Sequence, residues 1–236
     1  MLELRNITKR FGGLVALNNL SFNVEMGKIT AIIGPNGSGK TTLLNVINGY
    51  CKPEGGKIFF VDKLITGLKP YQISRIGIGR TFQVPKIFKD MTVKENMLAA
   101  ISEKTDSINA REKKAEELLK FVELTHLGEE YAKNLSGGQQ RLLEFSRILM
   151  IDPKLILFDE ITAGVNPEMI SKILDFIKVL NKREITFLMV EHNMAVVMSL
   201  CDRIIVLDAG ELIADGPPNE IQEDEMVIEA YLGARK

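Results

Sequence analysis

The sequence predicts an α/β fold, and three observations carry that prediction. First, short apolar runs at residues 29–33, 155–158 and 185–190 have the near-continuous hydrophobicity of strands buried on both faces of a parallel sheet. Second, a helical pattern at 167–181 lies between two of those runs, the arrangement of parallel strands joined by a crossover helix. Third, a mostly helical insertion over about residues 85–150 interrupts the strand-rich chain.

Taken in order, the first sixty residues are β-rich. Strands are expected at 2–7, 20–24 and 57–61, with turns at Gly12-Gly13, 25–28 and 53–56. The buried strand at 29–33 leads into a glycine-rich loop, and a helix follows over 40–48. In the insertion, Thr92 with Glu95 three residues on has the form of a capping box. Ala115, Leu118, Leu119 and Val122 share one face of an amphipathic helix, and the charges opposite them read as solvated surface. Another helix is expected from Gln139 to Met150, and a closing hairpin around Asp208-Ala209-Gly210.

The organisation expected is a single domain of two lobes. Residues 1–84 and 151–236 form the α/β lobe and 85–150 the helical one. A formal net charge of −1 supplies no bulk attraction to nucleic acid, so no nucleic-acid partner is expected. No apolar run approaches the ~20 residues of a membrane-spanning helix. The stretch 195–207 is broken by Asp202-Arg203, and the charged, alternating start predicts no signal peptide. Cys51 and Cys201 have no metal or redox spacing and are expected as free thiols. Any link to a membrane therefore passes through a partner.

The chemistry concentrates in a few segments. Gly34-Pro35-Asn36-Gly37-Ser38-Gly39-Lys40-Thr41 fits G-x-x-x-x-G-K-[ST], with an apolar strand before it and a helix after it. Glycines let backbone N–H groups converge on an anion, and the helix N-terminus adds unpaired donors. Lys40 then reaches the β- and γ-phosphates while the Thr41 hydroxyl binds Mg²⁺. The strand at 155–158 ends in Asp159-Glu160. Asp159 is the expected Mg²⁺ partner of Thr41, and Glu160 is placed to polarise an attacking water. His192, after the strand at 185–190, either caps backbone groups or donates to the γ-phosphate. His126 reads as an ordinary loop residue. Gln83 lies where the core gives way to the insertion, a position from which it touches nucleotide and reports to the helical lobe. Phe11 either stacks on an adenine ring or fills the core.

In this order the motifs resemble the nucleotide-binding subunits of ATP-binding cassette (ABC) transporters over essentially the whole chain. The resemblance implies a P-loop, RecA-like core with an N-terminal antiparallel β-subdomain and a helical insertion. It makes Phe11 the adenine-stacking aromatic and 34–41 the phosphate loop, with Thr42 added to the ATP contacts. Gln83 is the Q-loop residue and a Mg²⁺ contact, and 155–160 is the second nucleotide motif with its catalytic glutamate. Ala163-Gly164-Val165-Asn166 is similar to the D-loop, and His192 to the switch histidine. Leu135-Ser136-Gly137-Gly138-Gln139 looks like the family's own signature.

Within the family, four segments look like the ATPases of branched-chain amino-acid importers: Arg10-Phe11-Gly12-Gly13-Leu14, Gly79-Arg80-Thr81-Phe82-Gln83, Glu191-His192-Asn193-Met194 and the ending Ala230-Tyr231-Leu232-Gly233. Two features depart from the pattern. Ile161 stands where the family usually has proline, and the helical stretch between Ala99 and Leu135 is short. The resemblance implies ATP and Mg²⁺ as ligands and two subunits meeting head to tail. Ser136, Gly137 and Gly138 would open a helix at Gln139 and close on the partner's ATP. A homodimer and a paralogous heterodimer both fit. It also implies two permease subunits and, through them, a substrate-binding protein, which puts the chain on the cytoplasmic face of the cell membrane. Another ABC transporter, importing urea or amides or exporting lipid or lipopolysaccharide, and a soluble non-transport ATPase are the alternatives.

Overall fold

The computed structural model describes residues 1–100 and 107–232. Gly233 of the importer-like ending lies outside the described residues, as do 101–106 of the short helical stretch.

Two sheets form the frame. The first is antiparallel: β1 (Leu2–Phe11), β2 (Leu14–Val24), β4 (Gly55–Phe60) and β5 (Lys63–Leu64), in the order β2-β1-β4-β5. The second contains β3 (Ile29–Ile33), β6 (Ile78–Arg80), β7 (Leu155–Asp159), β8 (Thr186–Val190), β9 (Arg203–Asp208) and β10 (Glu211–Gly216). Its order is β10-β9-β3-β8-β7-β6, parallel throughout except for the terminal hairpin β9–β10.

Period-two alternation places each central strand between two cores. Ile156, Phe158, Phe187, Met189, Ile204 and Val206 face one cluster, which also holds Val93, Met97, Ala115 and Leu119 of the helical insertion. Leu155, Leu157, Leu188, Val190, Ile205 and Leu207 face the other, shared with the antiparallel sheet and with α1 (Lys40–Ile47). Phe145, Phe158 and Phe187 pack in series through the first cluster, the first two tilted and the last two stacked, with ring centroids 5.6 and 5.5 Å apart.

The insertion carries α3 (Val93–Leu98), α4 (Ile108–Phe121) and α5 (Gly137–Leu149). Thr92 and Glu95 close the expected capping box on α3: Oγ1 of Thr92 accepts from the Glu95 N–H at 3.1 Å, and Oε2 of Glu95 from the Thr92 N–H at 2.7 Å. His126 sits in a single 3₁₀ turn, Thr125–Leu127. Helix α6 (Pro167–Asn181) is the crossover between β7 and β8. Cys51 and Cys201 are free thiols. Among the described residues no helix is long and apolar enough to cross a membrane.

The structure corrects several expectations. The strands expected at 2–7 and 20–24 extend to Phe11 and back to Leu14, because they continue as one hairpin through register shifts after Leu4, Ile7 and Lys9. Phe11 therefore ends β1 instead of following it. Strand β6 and α2 (Pro70–Arg75) are additional elements; β6 is three residues long and takes its hydrogen bonds from β7. Past β8, α7 (Met194–Leu200), α8 (Pro218–Glu223) and α9 (Glu225–Leu232) complete the chain. The helix expected from Gln139 begins two residues earlier, at Gly137, with Ser136 as its cap.

Candidate functional site

Most of the residues singled out in the sequence converge at the carboxyl ends of adjacent parallel strands, the place where open α/β sheets bind ligands. Gly34 follows β3, His192 follows β8, Asp159 ends β7 with Glu160 just beyond it, and Gln83 follows β6. A cavity of about 500 Å³ opens there, lined among others by Phe11, Asn36, Gly37, Lys40, Glu160 and His192.

The phosphate loop owes its path to glycine at two points. Gly34 has φ 148°, and a Cβ there would lie 2.0 Å from the Leu207 carbonyl oxygen. Gly39, which caps α1, has φ 102°, and its Cβ would lie 2.5 Å from the Ala16 carbonyl oxygen. Any side chain would push the loop off β9 and β2. Lys40 is buried, and its Nζ donates to the carbonyls of Gly34 and Pro35, both at 2.8 Å. Burial pulls its ammonium below the usual lysine range, and the nearby Glu160 charge opposes that shift. Thr41 and Thr42 line the same cavity, and Ser38 is buried beneath it. The Gly34 N–H donates to the Tyr231 hydroxyl at 2.8 Å, which ties α9 to the loop. Phe11 is 49% exposed on the cavity rim, which excludes the core-filling reading.

Glu160 is held from two sides. Gln83 Nε2 donates to its Oε2 at 2.8 Å, and His192 Nε2 lies 3.0 Å from its Oε1. Its backbone sits at φ 53°, a left-handed conformation that non-glycine residues adopt at a cost, typically where function requires it. Asp159 is buried, and its Oδ2 accepts from Arg80 Nη2 at 2.9 Å. Arg80 also donates to Asn45 Oδ1 at 2.8 Å, and its guanidinium lies 5.0 Å from the Phe82 ring centroid. Ile161 packs into the apolar core, and the adjacent Thr162 donates to Glu191 through both N–H and hydroxyl, at 3.1 and 2.9 Å. Burial pushes the Glu191 carboxyl upward, against the pull of those hydrogen bonds.

The segment 135–139 does not join this cavity. Leu135 is buried, while Ser136 and Gly137 are exposed at the start of α5. Ser136 Oγ accepts from the Gln139 N–H at 3.3 Å and Gln139 Oε1 accepts from the Ser136 N–H at 2.8 Å, a capping box that leaves the remaining first-turn donors facing outward. Gly138 lies against Met169 of α6, where a Cβ would meet Cγ at 3.0 Å. In 163–166, Gly164 has φ 71°, Val165 N–H donates to the Thr162 carbonyl, and Asn166 caps α6 by accepting from the Met169 N–H at 2.8 Å.

The profile of the family described as ABC transporter matches residues 17–163, more than half of the chain. The chain belongs to the ABC transporter family. The cassette also matches a shorter family, described as branched-chain amino acid ATP-binding cassette transporter, over residues 211–236. It is 43% identical to the probable branched-chain amino acid transport ATP-binding protein LivG of Archaeoglobus fulgidus, over 100% of this chain and 96% of that one. It is 39% identical to the high-affinity branched-chain amino acid transport ATP-binding protein BraF of Pseudomonas aeruginosa, over 99% of this chain and 98% of that one. A solved nucleotide-free ATP-binding cassette from an ABC transporter superposes with a TM-score of 0.89 at 38% identity, covering 98% of both chains. The cassette is thus an ATP-binding, ATP-hydrolysing transporter subunit of the expected α/β class.

Four side chains that the sequence reading left without a role stand out. Arg80 was visible only as a letter beside Gln83, and Tyr231 only as part of the ending. Arg141 and Glu144, on one face of α5, were hidden because an arginine and a glutamate three residues apart usually read as solvated helix surface. Both are buried. Burial pulls Arg141 below the usual arginine range and pushes the Glu144 carboxyl up to about 7.

Proposed function

We propose that the cassette powers import of branched-chain amino acids by binding and hydrolysing ATP within a head-to-tail dimer. The observation that carries the hydrolytic reading is Glu160, gripped by Gln83 and His192 at the lip of the cavity that holds the phosphate loop. Phe11 would stack on the adenine, and the N–H groups of 36–42 with Lys40 would take the phosphates. Lys40 would leave the Gly34 and Pro35 carbonyls for phosphate oxygens.

Thr41, Gln83 and Asp159 offer hydroxyl, amide and carboxylate oxygens, the hard donor set Mg²⁺ takes, and Arg80 engages Oδ2 of Asp159. These residues fit the ion and would hold it. When bound, Mg²⁺ neutralises charge between the β- and γ-phosphates. Glu160 would orient and polarise the attacking water, and His192 would exchange its Glu160 contact for the γ-phosphate.

The outward-facing helix terminus at 136–138, remote from the chain's own phosphate loop, supports a partner whose ATP it would cap. A C2 arrangement supplies two such sites. A solved dimeric cassette bound to ADP and Pi, 31% identical with a TM-score of 0.83, supports a dimer. A second cavity of about 350 Å³, lined by Tyr50, Tyr71, Arg80, Phe82, Lys86 and Arg147, is where a permease helix would dock, placing the chain on the cytoplasmic face of the membrane. The cargo is supported by the relatives' names and by the branched-chain amino acid family matched over residues 211–236, with a substrate-binding protein feeding the permeases.

Glu160→Gln tests the site. Nucleotide binding is expected to persist while turnover falls by about two orders of magnitude or more and an ATP-bound dimer accumulates. Near-normal turnover would remove Glu160 from the mechanism. Uptake of labelled leucine by vesicles carrying the cassette with its permeases tests the cargo.

A further inference from the structure

Helix α5 carries two buried charges that phosphate chemistry leaves unused. Arg141 is 6% exposed and Glu144 3%. Three residues apart, they project from one face of the helix. Nη2 of Arg141 donates to the carbonyls of Gln83 and Ala163, both at 2.9 Å, and Nη1 to the Phe82 carbonyl at 3.4 Å. Glu144 accepts from the backbone N–H of Lys86 at 2.7 Å and of Phe82 at 3.5 Å.

One loop is therefore gripped through both of its polarities, its carbonyls by the Arg141 guanidinium and its amides by the Glu144 carboxyl oxygens. The same guanidinium holds a second loop, the one that follows Glu160. These carbonyls lie past the ends of β6 and β7, where the sheet ladder no longer supplies donors. With no ladder partner, these part-buried carbonyls take their hydrogen bonds from the guanidinium, which ties both loops to α5. The helix that carries the clamp is the helix that Ser136 caps. Arg141 lies five residues along it, only about 8 Å of axial rise from that exposed terminus.

We propose that Arg141 and Glu144 are positioning residues that join the Gln83 loop, the Ala163 loop and the Ser136 helix terminus into one body. This rests on the roles given above to Gln83, Glu160 and Ser136. Within one chain, Gln83 and Glu160 then serve its own ATP while Ser136 closes on the partner's ATP. Motion of either end is carried to the other through α5. The Gln83–Glu160 hydrogen bond, at 2.8 Å, survives only if the Gln83 backbone stays where Arg141 holds it.

The test uses the full chain, with ATPase kinetics, binding of a fluorescent ATP analogue and thermal melting. Arg141→Lys keeps the charge but replaces a planar fork by a point donor, which cannot serve Gln83, Phe82 and Ala163 together. It is expected to lower kcat about tenfold with analogue affinity within about twofold and melting nearly unchanged. In a Gln83→Ala background the same substitution should cost clearly less than in the wild type, because the Gln83 side chain being positioned is gone and only the Ala163 loop is still held. Glu144→Gln, which offers an NH₂ where two amides now donate, should show the same dependence on Gln83 and serves if Arg141→Lys fails to fold. Full kcat in Arg141→Lys, or an equal loss in both backgrounds, overturns the proposal. An unchanged kcat in Gln83→Ala alone is a different failure. It would remove Gln83 from the hydrolytic site and the clamp's purpose with it.

Discussion

At the scale of single residues, the site is built from charges whose partners come from distant parts of the chain. Arg80 meets Asp159 across 79 positions and Gln83 meets Glu160 across 77. A buried ion pair such as Arg80–Asp159 adds little net stability, but removing one partner strands the other, at about 3–5 kcal/mol. Glu144 shows the same economy in a titratable form. Its carboxyl titrates at about 7 in the folded chain against an ordinary 4.5, so between those values the folded state holds a proton that the unfolded state has lost. Its contribution to stability is complete below pH 4.5 and is lost as pH rises through about 7, a fall of up to about 3 kcal/mol. Glu191, also shifted upward, acts in the same direction. Urea denaturation from pH 4.5 to 8 should therefore show a stability slope that Glu144→Gln flattens; an unchanged slope would show that Glu144 is not the group responsible.

At the scale of elements, β6 and α5 meet in a close contact at Gly79. A Cβ on Gly79 would lie 2.2 Å from Cγ2 of Ile148, so Gly79→Ala forces the Ile148 side chain or its helix to shift. The expected cost is about 1–3 kcal/mol, seen as a lowered Tm. Ile148→Ala, which removes the clashing methyl, should recover part of that loss in the double variant. Full additivity would place the strain elsewhere. The long regular elements were legible beforehand: the three buried runs, the Thr92–Glu95 cap and the crossover helix all carry local signals of period or capping. Strand β6 was not legible. Three residues have no period, and Ile78, Gly79 and Arg80 become a strand only because β7 offers them hydrogen bonds.

At the scale of the whole molecule, the phosphate loop and the helix terminus at Ser136 face different surroundings. Ser136→Arg places a bulky cation on the exposed cap, at the surface proposed to meet a second subunit. Nucleotide binding by the monomer should stay within about twofold of wild type, since Ser136 lies outside the chain's own cavity. ATP-dependent dimerisation, followed by size-exclusion chromatography with light scattering, should disappear. A dimer that still forms would sink the head-to-tail arrangement.

The sequence by itself determined the fold class, the phosphate loop, the strand ending in Asp159-Glu160 and the order of motifs that resembles the ABC family. Each is a local pattern: a fixed spacing of glycines, an apolar run, a cap before a helix. The tertiary structure alone decided which charges are buried and what they hold. Arg80, Arg141, Glu144 and Tyr231 acquire partners 79, 58, 58 and 197 positions away. Contacts of such separation leave no periodic trace, because the chain brings them together only when the two cores close on the central sheet.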